Sequence, residues 1–182
     1  MRTQAMAALA AAALAATIAV SAPAAAVDTE GEFTVTAGTL SISAPPSTVD
    51  LGSVAAGSLS HVAQLGSVTV TDDRGALVAE WKATVSSTDF ALDGGTGGAS
   101  ETVAAGSIAY SSGAATASSG TGVFTPGVVA SLDASVDPTL RLGASWAGTG
   151  VNSVTWNPTL TFTFLASQVA GTYRGTITHS VA

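Results

Sequence analysis

The chain has 182 residues, with five Lys or Arg, twelve Asp or Glu, two His and no Cys. Its cations beyond Arg2 are Arg74, Lys82, Arg141 and Arg174, scattered along the sequence, and this excludes the clustered basic surface that a phosphate backbone requires. Without cysteine there is no disulfide and no thiolate chemistry, so stability must come from core burial.

The N-terminus reads as a secretory signal peptide over residues 1–26. Arg2 supplies the positive start, the run from Ala5 to Val20 the apolar segment, and Ser21 to Ala26 the small residues of a cleavage site. The apolar run is Ala-dominated and shorter than the roughly 20 strongly apolar residues of a membrane span. Residues 27–182 then carry four cationic side chains against twelve anionic ones, a net charge of −8. They are enough for a single domain that buries about 68–70% of its extended-chain surface. The last residues, Thr178 to Ala182, are neither an apolar tail nor a basic one, so no membrane anchor is expected, and the expected location is secreted, outside the membrane.

Beyond residue 27, short runs of Val, Ile, Thr and aromatics alternate between Gly, Pro, Ser and Asp clusters, the pattern of half-buried strands. Weak strands are expected at Phe33–Thr36, Thr39–Ser43, Thr48–Leu51 and Leu59–Leu65. Ser67–Thr71 alternates clearly and runs into Asp72-Asp73-Arg74-Gly75, a turn signal. Trp81–Ser86 follows, with Trp81, Ala83 and Val85 on one face. Asp93–Gly106 and Ser111–Gly122 read as Gly-rich and Ser-rich loops on either side of a strand at Ile108–Ser111. Thr139–Leu142 is a further weak strand, Gly143–Gly148 a loop carrying Trp146, and Val151–Trp156 a strand that stops before Asn157-Pro158. Thr159–Phe164 places Leu160, Phe162 and Phe164 on one face, and Tyr173–Val181 closes the chain. About ten short strands and no helical stripe imply an all-β fold, an antiparallel β-sandwich of Greek-key or immunoglobulin-like type.

Candidate functional residues follow from that layout. Trp146 and Trp156, placed in or beside loops, are the better ligand contacts; Trp81 is a third candidate, for stacking on a sugar ring, although alternation puts it with the apolar core face. His179 shares a face with Ile177 and Val181 and is expected to be a satisfied structural histidine. His61 has no second ligand at metal spacing. Gly143-Ala144-Ser145-Trp146-Ala147 lacks the second glycine of a nucleophile elbow. Asp72-Asp73, Asp89 with Asp93, and Asp133 with Asp137 supply carboxylates but no calcium-loop signature. No catalytic residue, metal or cofactor is expected, and the protein is expected to bind rather than to catalyse.

The order of several segments is more specific than any one of them. Gly38-Thr39-Leu40-Ser41-Ile42-Ser43-Ala44-Pro45 is followed by Val49-Asp50-Leu51-Gly52 and by Leu65-Gly66-Ser67-Val68-Thr69-Val70-Thr71-Asp72 with Arg74-Gly75. Trp81-Lys82-Ala83-Thr84-Val85-Ser86 then leads to Asp89-Phe90, and Ala170 to Ser180 closes the set with Tyr173, Gly175, Thr178 and His179. In this order the chain resembles the WxL-domain proteins of Gram-positive bacteria, in the short form found in actinobacteria. Ala83 stands where the first motif has Leu, and His179 where the second places its Trp. The resemblance implies a single WxL-like β-sandwich domain over 27–182 that attaches non-covalently to the cell wall through peptidoglycan, in surface complexes. A second expectation, from another class, is a secreted subunit that assembles by protein–protein contacts, motivated by the charge-poor, Thr-rich strands.

Overall fold

The alternating runs become twelve strands in the computed structural model, which describes residues 29–46 and 48–182, and every pairing between the named strands is antiparallel. They are β1 (Leu40–Ser43), β2 (Ser60–Gln64), β3 (Val68–Ser87), β4 (Phe90–Leu92), β5 (Thr102–Val103) and β6 (Ile108–Ser111). β7 (Ala115–Pro126), β8 (Val128–Val129), β9 (Leu142–Trp156), β10 (Thr159–Thr163), β11 (Tyr173–Arg174) and β12 (Ile177–Val181) follow. The expected signal peptide lies outside the described residues. Residues 35–182 form one compact unit.

One sheet runs β1-β3-β9-β7, with β12 joining β1 along the same edge of β3. A second runs β2-β10-β6-β8 and a small third runs β11-β4-β5. Leu160 and Phe162 of β10, Ile108 and Tyr110 of β6 and Ala63 of β2 pack against Val85 of β3, with Ile177 of β12 beside them. Two sheets thus face each other across one apolar layer, the arrangement of a sandwich.

A second core lies within the first sheet itself. Trp81 pairs with Trp146 across β3 and β9, and Trp156 stands ten residues further along β9, about 33 Å away in a straight strand. Yet the Trp81 and Trp156 rings stack with centroids 6.3 Å apart, and Phe124 of β7, opposite Trp146, lies 5.6 Å from Trp156. The β3–β9–β7 ribbon must therefore fold over on itself. It does so where the β3–β9 register shifts between Asp72 and Ala76 and again before Ala79, bulges of the kind that bend strands sharply.

Several expectations are corrected here. Asp72–Gly75 is not a turn between two strands, because β3 continues through it as a bulged bend. Ser111–Gly122 is not a loop. From Ala115 it is β7, a strand rich in small Ser, Thr and Gly residues that pairs with β9. Gly143–Gly148 is likewise strand. Thr139–Leu142 is a 3-10 turn for its first three residues, opened by Pro138 and capped by the Asp137 carboxylate, which accepts from the Thr139 N–H at 2.8 Å. Phe33–Thr36 and, where described, Thr48–Leu51 have no ladder partner and form no strand.

Candidate functional site

The three tryptophans divide from the surface completely. Trp81 is 1% exposed, Trp156 0% and Trp146 5%, so none presents a ring to a ligand, and the placing of Trp146 and Trp156 in accessible loops is corrected. The glycines around Trp146 mislead at the level of sequence. Gly122 and Gly148 are register partners, and a Cβ on either would fall 2.6 Å from the Trp146 indole. They form the slot that the ring fills. Trp156 donates its Nε1–H to Tyr110 Oη at 2.8 Å, and Trp81 donates to Asn152 Oδ1 at 2.8 Å. Burial pushes the Tyr110 hydroxyl up to about 12, so it stays protonated.

The Asn152 bond belongs to a polar pin at the bend. Arg74 Nε and Nη2 each donate to the Asp72 carboxylate at 2.8 Å, and Nη2 also donates to the Glu80 carbonyl at 2.9 Å. Asn152 Nδ2 donates to Asp72 Oδ2 at 3.4 Å. The Asp72 side chain is fully buried, and the hydrogen bonds from Arg74 hold its carboxyl below the usual range despite burial. The other paired aspartates are committed locally as well. Asp89 accepts from the Ala105 N–H, Asp133 from Ser135, and Asp93 pairs with Arg174 at 2.7 Å. Among the described residues no group of three or more His, Cys, Asp or Glu is placed to hold a metal ion.

Accessible aromatic rings are found elsewhere. A groove of about 910 Å³ runs between residues 44–46 and 48–58, the end of β10 and the β11–β12 segment. Phe90, Phe162, Phe164 and Tyr173 line it. Phe90 and Phe162 meet edge to face at 5.3 Å, and Phe162 stacks with Phe164 at 6.3 Å. His61 donates from Nε2 to the Leu51 carbonyl at 2.6 Å, tying one wall to β2. The opposite wall is held by Tyr173. Its single hydroxyl proton goes to the Val169 carbonyl at 2.6 Å, and its oxygen accepts from Gln168 Nε2 at 3.0 Å. Exposed Arg174 stands at the rim.

The closing motif segment forms part of this wall, and Phe90 is the residue of the first segment that reaches it. β12 pairs along β3 with Thr178 opposite Ser86 and His179 opposite Val85, while Tyr173 lies opposite Leu92 of β4. Gly175 covers the Phe90 ring so closely that a Cβ there would collide with it. Trp81 and Ala83 lie in the core of the folded sheet, and Asp89, exposed, braces the turn at Ala105. His179 departs from expectation. It is half-buried, its ring 5.7 Å from that of Tyr110, and neither nitrogen has a hydrogen-bond partner among the described residues. Burial pulls its pKa down to about 4. It is a neutral imidazole in an apolar setting, not a satisfied one.

Sequence reasoning overlooked Phe164, Gln168, residues 44–46 and residues 48–58 as part of the groove. Phe164 carried a signal, an apolar residue continuing the alternation past the end of β10. Comparison of the chain with protein-family models, with curated proteins and with solved structures finds no match.

Proposed function

We propose that the chain is an exported binding module that attaches non-covalently to the bacterial cell wall, taking a strand of peptidoglycan along the aromatic groove. The observation that carries this reading is that the closing motif segment, Tyr173–His179, supplies one wall of the groove, where Phe90 at the end of the first motif segment joins it. The half-buried Phe164 and Tyr173 rings suit the apolar faces of sugar rings, and Arg174 suits a stem-peptide carboxylate. The groove is built on a sandwich whose strands fix its floor, as binding surfaces on rigid scaffolds are.

Co-sedimentation of the full chain with purified sacculi tests the reading, with Phe164→Ala and Arg174→Ala compared at matched folding. Saturable binding that either substitution lowers is expected. Folded wild-type protein that stays in the supernatant at every ionic strength rules it out. The net charge of the mature segment and a polyanionic wall repel each other, so added salt is expected to leave binding unchanged or to strengthen it.

A further inference from the structure

The groove leaves unused the longest free edge among the described strands. β7 ends the order β1-β3-β9-β7, so one row of its main-chain groups pairs with β9 and the other faces outward. Native proteins usually protect such an edge with charge, with proline, or by keeping it short. β7 is twelve residues long and uncharged; no Asp, Glu, Lys, Arg or His occurs from Thr102 to Leu132. Only its first half is distorted, with register shifts before Ala117 and before Thr121. From Thr121 to Pro126 the ladder is regular.

We propose that two copies of the chain pair through this edge, β7 against β7 antiparallel about a two-fold axis, independently of any ligand in the groove. The limits of the regular segment choose the register. Gly120, at φ +99°, breaks the extended backbone on one side, and Pro126 lacks an N–H on the other. The five residues between them centre on Val123, so a two-fold there sets Val123 opposite Val123 and Thr121 opposite Thr125. All three are exposed, and Val–Val and Thr–Thr are favourable cross-strand pairs. This self-complementary register selects a second copy as the occupant, and charge selects where the copies meet. The chain carries a formal net charge of −7, so copies repel through their charged faces, whereas this edge meets its own copy without a like-charge contact. An isologous contact needs no second sequence. A single strand pair is a small interface, so the dimer is weak and concentration-dependent.

Sedimentation equilibrium of the full chain over a concentration series is the test, with Val123→Lys on the edge and Leu77→Lys on the exposed β3 bend as the comparison. A reversible dimer is expected, weakened at least about tenfold by Val123→Lys, which sets like charges opposite each other, and unchanged by Leu77→Lys. The absence of native cysteine makes a second readout clean: Val123→Cys gives a disulfide-linked dimer on oxidation, and Leu77→Cys does not. A chain that stays monomeric throughout overturns the proposal. So does a dimer that Val123→Lys leaves intact, or one that Leu77→Lys weakens equally.

Discussion

The folded ribbon of β3, β9 and β7 and the groove beside β10 and β11 use aromatic residues in different ways. In the ribbon, Trp81, Trp146 and Trp156 are sealed beneath strands made largely of Gly, Ala, Ser and Thr. In the groove, Phe164, Tyr173 and His61 come from well-patterned strands or their ends, yet stand half in solvent. The difference teaches that local polarity around an aromatic does not decide its exposure. Small residues let neighbouring backbones and rings approach closely, so a Gly-rich neighbourhood can be the sign of a buried ring. An apolar face at the rim of a sandwich, in turn, can outrun the sheet that would cover it.

The most severe way to break the contrast is Trp156→Ala. It removes a fully buried indole, strands the Tyr110 hydroxyl and unstacks Trp81, and a loss of about 3–5 kcal/mol is expected in denaturant titration. A loss well under 1 kcal/mol would show that the ribbon is not folded over as described. Asp72→Ala comes next. It leaves Asn152 Nδ2 and the Arg74 fork without their acceptor at the bend, and about 3 kcal/mol is expected, less than for a wholly buried pair because Arg74 is partly exposed.

Parts of the ribbon and parts of the groove were legible in the sequence. Alternation at Val68–Thr71, Trp81–Ser86 and Thr159–Phe164 sufficed for the all-β, antiparallel reading, because period 2 records which side chains share a face. It could not reveal that the first two runs are one strand. Asp72-Asp73-Arg74-Gly75 has turn chemistry, and only the tertiary pairing with Asn152 and Glu80 turns it into a bulged bend. β7 was missed for a related reason: Ser and Gly have weak strand preference alone, and β9 supplies the ladder. In the groove, one wall is residues 44–46 and 48–58, which have no regular period, so their position depends on contacts such as His61 with Leu51. Nor can alternation say whether a buried imidazole finds a partner, which is where the expectation for His179 failed.

His179 gives a smaller effect, seen only in pH dependence. Its folded pKa of about 4 lies below its unfolded 6.5. Between those values the unfolded chain takes up a proton that the folded chain refuses, so stability falls as pH falls. Asp72, whose folded pKa is depressed, adds stability that is lost only at pH below its unfolded value of 3.8. From pH 6.5 to about 5, above the carboxylate range, His179 should therefore cost about 1.5 kcal/mol. His179→Phe should remove that slope, and an unchanged slope in the variant would assign it elsewhere.

The smallest effect on stability, and the sharpest on the comparison, is expected at Phe164. Being half-buried, it contributes a fraction of what a core Phe does, and Phe164→Ala should cost about 1 kcal/mol. If the groove takes a glycan by stacking, sacculus binding should fall far more than stability does. Phe164→Leu separates the two effects, since it keeps apolar bulk against Phe162 while removing the flat ring. Stability restored with binding still weak would make Phe164 a ligand contact, the role that the tryptophans, sealed in the ribbon, are unable to play. Binding restored along with stability would make it one more packing residue, and the contrast between the two regions would then be one of degree of burial alone.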